Sequence, residues 1–174
     1  MPIAFFNSDE LLKSFNSLEI NKTNAKNIVI HSAIGRLGVS KDETSKEIFQ
    51  KIINYFNPGK TLFFPTFSYS YRRGLIYNPL IIEKTIKNEM GVLSYEAIKS
   101  QLGVRTYCPI FSYYVIGNDS HDYKHQKDID CFSEKNIFGR FFTESTLFIG
   151  IGITYSNGMS PFMYLEKLAK VPYR

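Results

Sequence analysis

The sequence has no tryptophan, and only two cysteines and three histidines occur among its 174 residues. Its wholly apolar runs are only a few residues long, as in Leu147-Phe148-Ile149, whereas a membrane-spanning helix needs about 20 such residues. The first residues lack the basic leader, long apolar stretch and small-residue cleavage site of a secretory signal. These absences predict a soluble, cytoplasmic protein that does not associate with a membrane.

The two cysteines are too few for a disulfide framework and do not form a Cys-x-x-Cys pair. We therefore expect Cys108 and Cys131 to be free thiols. His121, His125 and Cys131 do not match the paired ligand pattern of a structural zinc site, so we expect no metal. The segment that contains them is interpreted as a polar surface loop.

The composition is typical of one globular domain over residues 1–174, with 44% hydrophobic residues. The formal net charge of +5 favours anionic ligands, but no block of five or more Lys and Arg occurs. An anionic small molecule is therefore favoured over nucleic acid. A nucleic-acid-binding protein remains a third hypothesis, which rests only on charge and aromatic content.

Apolar patterning predicts an α/β fold. The segment from Asn27 to His31 is a β-branched run without alternation, as expected of a strand covered on both faces. A helix with one apolar face follows, formed by Ile48, Phe49, Ile52, Ile53 and Phe56. Thr61 to Phe64 is predicted to be a second buried strand, ended by Pro65. Strand, helix and strand together predict a parallel βαβ unit.

The remaining elements are predicted from shorter signals. Ser8 is predicted to cap a first helix, and Ser40 and Glu43 have the spacing of a capping box. Residues 67–89, which are aromatic and basic, are interpreted as a long functional loop. Further predictions are helices at 91–101 and 136–142, strands at 111–116 and 146–153, and a last helix that begins at Ser160-Pro161.

The loop from His31 to Gly38 is a candidate anion-binding site. It lies beyond the C-terminal end of a predicted strand and before a helix, where open α/β sheets bind ligands. Gly35 and Gly38 are only three residues apart and no Lys-Ser/Thr pair follows, so the loop matches neither the dinucleotide fingerprint nor the P-loop. Taken locally, the pattern fits anion binding and a plain strand-to-helix turn equally well.

Several motifs follow one another in collinear order along the chain. They are His31-Ser32-Ala33-x-x-x-Leu37-Gly38, Gly59-Lys60-Thr61-Leu62-Phe63-Phe64-Pro65-Thr66-Phe67-Ser68, Tyr77-Asn78-Pro79, Met90-Gly91-Val92-Leu93-Ser94, Gly103-Val104-Arg105-Thr106-x-x-Pro109-x-x-Ser112, Phe148-x-Gly150-Ile151-Gly152, and Glu166 with Val171-Pro172-Tyr173-Arg174. This series resembles the aminoglycoside N3-acetyltransferase family over nearly the whole chain.

The resemblance implies a three-layer α/β/α fold with a central, mostly parallel sheet. It also implies acetyl-CoA as a co-substrate, no metal, and direct transfer of the acetyl group to an amine of an amino sugar. The residues that it implies for coenzyme binding are His31, Ser32, Ala33, Gly35, Leu37, Gly38, Arg105, Thr106 and Ser112. Antibiotic resistance itself is not implied.

The chain departs from the family at its catalytic positions. The family has Thr-x-x-His-x-x-Glu on its last helix, and Met163 stands at the position of the histidine, three residues before Glu166. A thioether does not accept a proton at neutral pH. Cys108 stands where many members have His or Asp, and Tyr95 where Glu is common.

Four positions are therefore candidates for catalysis, and each has a simpler interpretation. His31 is a replacement base or, as we favour, a histidine hydrogen-bonded within its loop. Cys108 is a nucleophile or a buried thiol, and the second is favoured. Glu166 orients the acceptor amine or is a solvated helix acid. Met163 marks the position from which the family histidine is missing.

Tyr69, Tyr71, Arg72 and Tyr77 are candidates for acceptor binding, because aromatic and guanidinium faces pack on sugars. This loop is basic, so we expect an acceptor less cationic than an aminoglycoside. Family members continue beyond Val171-Pro172-Tyr173-Arg174. We therefore expect either a pared-down fold or a domain incomplete at its C-terminus that is completed by a second chain or a homo-oligomer. The alternative function is a catalytically impaired or split family member that binds CoA.

Overall fold

A five-stranded sheet organises the chain. The structure, a computed structural model, describes residues 6–40, 42–56, 59–69, 74, 86–108, 110–124, 130–154 and 160–173. The strands are β1 (Asn27–Ser32), β2 (Thr61–Pro65), β3 (Gly103–Arg105), β4 (Tyr113–Ile116) and β5 (Thr146–Ile151), in the spatial order β3-β4-β2-β1-β5. The α/β class and the buried strands β1 and β2 are confirmed.

The sheet is mixed. β1 pairs in parallel with β2 and β5, whereas β4 is antiparallel to both β2 and β3. The predicted parallel unit of strand, helix and strand is thus confirmed for β1 and β2. A mostly parallel sheet is confirmed only for the half that contains β2, β1 and β5. β3 was not predicted, because three residues are too few to show a strand pattern.

Helices cover both faces of this sheet. They are α1 (Ser8–Ser17), α2 (Ser45–Phe56), α3 (Ile86–Glu89), α4 (Val92–Ser100), α5 (Ile137–Thr143) and α6 (Phe162–Leu168). All but α3 lie at or near predicted helices. The predicted loop over residues 67–89 contains α3 near its end, and most of the rest of it lies outside the described residues.

The predicted N-cap of α1, Ser8, is wrong by one residue. Asn7 is the N-cap: its side chain accepts a hydrogen bond from the backbone N–H of Glu10 at 3.0 Å, and the Glu10 carboxylate accepts one from Asn7 N–H at 3.2 Å. Ser8 is the first helical residue, and its hydroxyl and N–H both donate to Glu43. Two adjacent capping residues made this choice ambiguous in the sequence.

The predicted capping box of Ser40 and Glu43 is also wrong. Helix α2 begins later, and its box consists of Thr44 and Glu47: Thr44 N–H donates to the Glu47 carboxylate at 2.7 Å, and Glu47 N–H donates to Thr44 Oγ1 at 3.2 Å. Glu43 instead accepts hydrogen bonds from Ser8 and so ties the start of α1 to this segment. A long-range partner therefore displaced the local capping pattern.

Two apolar clusters lie on opposite faces of the sheet, because side chains alternate along each strand. Ile28 and Ile30 of β1 belong to the α2-side cluster, and Val29 belongs to the α5-side cluster. The predicted apolar face of α2 is buried in the first cluster in full: Ile48, Phe49, Ile52, Ile53 and Phe56. The second is rich in aromatic rings, including Phe63, Tyr113, Tyr123, Phe138 and Phe141. Helices, sheet and helices thus form the three expected layers.

Cys108 and Cys131 form a disulfide, so the prediction of two free thiols is wrong. Their Cα atoms lie 6.1 Å apart, within the usual range of about 4.4–6.8 Å. The bond joins the segment between β3 and β4 to the segment before α5, and both cysteines are buried. Sequence spacing showed nothing of this contact, because the fold brings the two positions together.

Neither a spanning helix nor a metal cluster occurs in the part of the chain that the structure describes. Its helices are too short or too polar to cross a lipid bilayer. Its His, Cys, Asp and Glu side chains form no group of three or more that is suited to holding a metal ion.

Candidate active site

A cavity of about 350 Å³ lies beyond the C-terminal ends of β1 and β2. Its size is in the range of small-molecule sites, and its position is the one at which α/β sheets bind ligands. Four segments form its wall. They are the end of β1 and the turn after it (His31, Ser32, Ala33 and Arg36), the end of β2 and the residues after it (Pro65, Phe67 and Tyr69), the residues before α4 (Asn88, Glu89, Met90 and Gly91), and two residues after β5 (Ile153 and Ser160).

Two glycines hold the backbone of the β1 end from two directions. A Cβ on Gly91 would lie 2.9 Å from the carbonyl oxygen of Ser32, and a Cβ on Gly152 would lie 2.6 Å from that of Ala33. Both glycines also have positive φ, at +88° and +65°, a conformation that L side chains rarely adopt. Close packing of three backbone segments therefore sets the position of Ser32 and Ala33.

This packing predicts the effect of a methyl group at Gly91. Gly91→Ala is expected to destabilise the chain by about 1–3 kcal/mol, because it combines a strained φ with a clash against a backbone oxygen. Urea unfolding followed by circular dichroism measures the change. The matched control is Gly35→Ala on the same wall loop, where an added Cβ meets nothing within 4 Å. Equal unfolding midpoints for the two variants would contradict the packing described here.

His31 is buried at the end of β1, with Nε2 3.3 Å from the hydroxyl of Tyr113. The rings of Phe67 and Tyr113 lie edge-on to the imidazole, with centroids 6.3 and 6.1 Å away. Burial lowers the pKa of His31 to about 4 and raises that of Tyr113 well above its ordinary value. At neutral pH both groups are uncharged. A low pKa favours the interpretation of His31 as a structural, hydrogen-bonded histidine over that of a base.

The loop after His31 differs in detail from the expected strand, turn and helix start. Residues Ile34–Leu37 form one 3₁₀ turn, and α2 begins only at Ser45, with its first turn capped by Thr44 and Glu47. The N–H groups of Ile34 and Gly35 make no hydrogen bond to any residue that the structure describes. Arg36, in the same turn, is exposed on the cavity wall. N–H groups without a partner among the described residues therefore lie in this turn, whereas the first turn of α2 is capped.

Arg105 and Ser112 lie together in a buried polar network instead of on the cavity wall. Arg105 Nη2 donates to the backbone oxygen of Thr66 at 2.7 Å and to Ser68 Oγ at 2.8 Å. Its Nε lies 3.3 Å from both Thr66 Oγ1 and Ser112 Oγ. Thr106 is buried beside them and accepts a hydrogen bond from the backbone of β4 at 3.0 Å. The network fixes the segment that follows β2 and leads to Phe67 on the wall.

The predicted site residues of helix α6 do not lie on the cavity that contains His31. Ser160, just before the helix, lies on the wall of the cavity that contains His31. Met163 and Glu166 instead line a second cavity of about 460 Å³ with Phe132, Lys167, Lys170, Val171 and Pro172. Met163 also packs against the α5-side cluster. The structure thus does not bring His31 and Met163 to one cavity.

The other predicted site residues are distributed as follows. Tyr69 lies on the cavity wall, whereas Tyr71, Arg72 and Tyr77 lie outside the described residues. Gly35 and Gly38 are exposed on the loop, and Leu37 packs against the α2-side cluster. Cys108 is bonded to Cys131, so its sulfur is not available as a nucleophile.

Sequence reasoning missed two charged residues of the wall. Arg36 lies within the predicted anion-binding loop but is not among the residues that the resemblance implies for coenzyme binding. Glu89 lies in a stretch with no sustained period, so no local pattern marked it. The only signal that pointed to its neighbourhood was the Met90-Gly91 motif of the resemblance.

Solved structures of aminoglycoside acetyltransferases have the same arrangement of helices and strands. The apoenzyme of AAC(3)-IVa matches with a TM-score of 0.75 and 16% identity, over 99% of this chain and 64% of that one. AAC(3)-IIb matches with a TM-score of 0.76 and 12% identity, over 98% of this chain and 67% of that one. This chain has the aminoglycoside 3-N-acetyltransferase fold. The fold implied by the sequence motifs is therefore confirmed.

A third structure with this aminoglycoside 3-N-acetyltransferase fold is AAC-IIIb in a binary complex with CoASH. It matches with a TM-score of 0.71 and 15% identity, over 95% of this chain and 66% of that one. The chain thus spans about two thirds of the length of these structures. No family model matches the sequence, and no curated protein does. At these identities the likeness shows the fold alone.

Proposed function

We propose that this chain is an acetyl-CoA-dependent N-acetyltransferase that acts on an amino group of an amino sugar. The observation that carries the proposal is the position of the cavity, beyond the ends of β1 and β2 on an aminoglycoside 3-N-acetyltransferase fold. It is supported by the complex of AAC-IIIb with CoASH and by the complex of an AAC(3)-IVa variant with apramycin.

The turn after β1 suits the phosphates of the coenzyme. Arg36 supplies an exposed guanidinium, and the N–H groups of Ile34 and Gly35 have no partner among the described residues. Guanidinium and backbone N–H groups are the donors that bind phosphate most often. Arg105, Thr106 and Ser112 are buried, so we propose that they act on the coenzyme site by positioning the segment after β2.

Acetyl transfer requires an uncharged amine that attacks the thioester carbonyl carbon, after which the C–S bond breaks and the thiol leaves with a proton. His31 is uncharged but, with a pKa of about 4, is a weak base. We propose that it positions the reactants through its hydrogen bond with Tyr113. Glu166 remains a proposed acceptor contact from the second cavity. Catalysis by Cys108 is not proposed, because its sulfur is bonded.

Thiol release tests this function. The full chain with acetyl-CoA and a panel of mono- and diamino sugars is expected to release CoA thiol at a rate that depends on the amino sugar. Calorimetry is expected to show CoA binding that Arg36→Ala weakens, with Lys13→Ala, on the exposed surface of α1, as a control. A chain that neither releases thiol nor binds CoA would refute the proposal.

Met163 favours a second candidate function, a catalytically impaired or split family member that binds CoA. Its side chain packs against an apolar cluster and offers no base. An impaired chain binds CoA and never releases thiol. A split chain binds CoA and releases thiol only when a second chain or a further copy completes it. Met163→His separates the candidates: activity that appears only in this variant means that the native chain alone is not the enzyme.

A cytoplasmic location and an acceptor less cationic than an aminoglycoside belong to the same proposal. The Cys108–Cys131 disulfide is evidence against a cytoplasmic location, because structural disulfides are rare in reducing compartments. Mass measurement of the chain isolated from its native compartment, with rapid thiol blocking, decides between a bonded and a reduced pair.

A further inference from the structure

Glu89 is the last residue of α3 and lies on the wall of the cavity that contains His31. We propose that its carboxylate binds the ammonium group of the amino-sugar acceptor in this cavity. The inference rests on the proposed function, because that function brings an amine into the cavity.

The Glu89 carboxylate has an unused acceptor oxygen. Its Oε2 is buried and makes no hydrogen bond within the part of the chain that the structure describes. No ion pair among the described residues includes it either. Buried polar atoms in native proteins are almost always hydrogen-bonded, and an exception calls for an explanation such as a functional role or a water molecule or ion bound at that atom. A buried, unpaired carboxylate oxygen beside a cavity calls for a cationic donor.

The two charged residues of the cavity wall favour different ligands, one the coenzyme and the other the acceptor amine. Among the described wall residues, Glu89 is the one carboxylate and Arg36 the one permanent cation, and they belong to separate segments. His31 adds no charge, because burial keeps it neutral. Phosphate is attracted to Arg36 and repelled by Glu89, and the reverse holds for an ammonium group. The two charges therefore separate the donor coenzyme from the acceptor amine.

The wall next to Glu89 fits a sugar ring that carries the ammonium group. Phe67, Tyr69 and Met90 contribute apolar and aromatic surface to the wall of the same cavity. Small-molecule sites combine such surface with a few polar groups that fix the orientation of the ligand. A hexosamine has the matching chemistry, with apolar ring faces and one cationic substituent.

The position of Glu89 is set before any ligand binds. The backbone N–H of Met90, which follows it, donates to Ile86 O at 2.8 Å, and Gly91 packs against the carbonyl of Ser32. The backbone that carries the Glu89 side chain is thereby held at a fixed place relative to the end of β1. Such preorganisation lowers the entropic cost of binding.

Calorimetric titration of the full chain, with and without CoA, tests the inference. The probes are glucosamine and galactosamine, each compared with its N-acetylated counterpart, which has no ammonium group. The native chain is expected to bind at least one amine about tenfold or more tighter than its counterpart. Glu89→Gln is expected to weaken amine binding by about 10- to 100-fold and to leave the counterpart unaffected.

Two controls make a loss of binding interpretable. Glu134→Gln makes the same chemical change at an exposed position away from the cavity and is expected to bind the amines as the native chain does. Glu89→Gln is expected to unfold at the same or a higher urea concentration than the native chain, because it removes a partly buried charge. Loss of binding with an intact fold then reports on the ammonium contact.

The outcomes separate this inference from the proposed function. Equal amine affinity in the native chain and Glu89→Gln overturns the ammonium site, and so does a native chain that prefers neither amine to its counterpart. If the chain nevertheless releases thiol from acetyl-CoA in either of these cases, the acetyltransferase proposal still stands. Amine binding that depends on Glu89 in a chain that does not bind CoA supports the ammonium site and refutes the acetyltransferase.

Discussion

Arg105→Ala is expected to destabilise the chain by about 3–5 kcal/mol, since it removes the donor at the centre of a buried network. The carbonyl oxygen of Thr66 and the hydroxyls of Ser68 and Ser112 then lose their bonds to the guanidinium. Arg105→Lys is expected to recover only part of this loss, because an ammonium group lacks the planar fork that reaches several acceptors. Urea unfolding of the two variants measures both effects.

Arg36→Ala is the matched control for Arg105. Both changes remove one arginine, but Arg36 is exposed on the cavity wall. We expect it to change the stability by less than about 0.5 kcal/mol and to weaken CoA binding. The reverse pattern, in which Arg105→Ala is stable but loses CoA affinity, would instead support the direct contact between Arg105 and the coenzyme that the family resemblance implies.

His31 is expected to make the folded chain less stable as the pH falls from about 6.5 to about 4. Burial lowers its pKa from 6.5 to about 4, so between these values the unfolded chain takes up a proton that the folded chain does not. The contribution is fully present above pH 6.5 and is lost as the pH falls. The loss approaches about 3 kcal/mol at the lower end.

His31→Gln isolates this contribution, because an amide stays uncharged over the whole range. The difference in unfolding free energy between the native chain and this variant is expected to depend on pH between about 4 and 6.5 and to be constant above. His121→Gln, at an exposed histidine, serves as the control. A constant difference for His31→Gln across the range would show that the imidazole is not desolvated as the structure describes.

Elements with long apolar patterns were predictable from the sequence. The buried run of β1 and the apolar face of α2 both extend over several residues. The pattern of β1 reflects burial on both faces of the sheet, and that of α2 reflects packing of one helix face on the sheet. Where competing local signals lay close together, tertiary contacts decided the outcome, as when Glu43 bonded to Ser8 and left the capping of α2 to Thr44 and Glu47. The antiparallel pairing of β4 with β2 brings together residues distant in sequence, such as Leu62 and Ile116, and left no periodic signal.

The candidate site was predictable from the sequence on its β1 side and, after β2, at Tyr69. His31, Ser32 and Ala33 lie at the C-terminal end of a recognisable strand, so the general rule for α/β sheets placed them correctly at a cavity. Glu89 comes from a segment without periodicity and reaches the cavity only because Gly91 packs against Ser32. The pairing of Cys108 with Cys131 and the position of Met163 and Glu166 on a second cavity likewise arise from the fold, not from spacing.

The contacts of Gly91 and Gly152 with the β1 end also bear on how the cavity responds to ligands. Backbone packed on backbone has no side-chain rotamers through which to adjust, so Ser32 and Ala33 cannot shift without displacing the segments on both sides. This part of the cavity will therefore select among ligands by excluding those whose shape does not fit the fixed backbone of Ser32 and Ala33. Directed changes of specificity are better sought at Tyr69 and Met90, whose side chains can be exchanged while that frame stays in place.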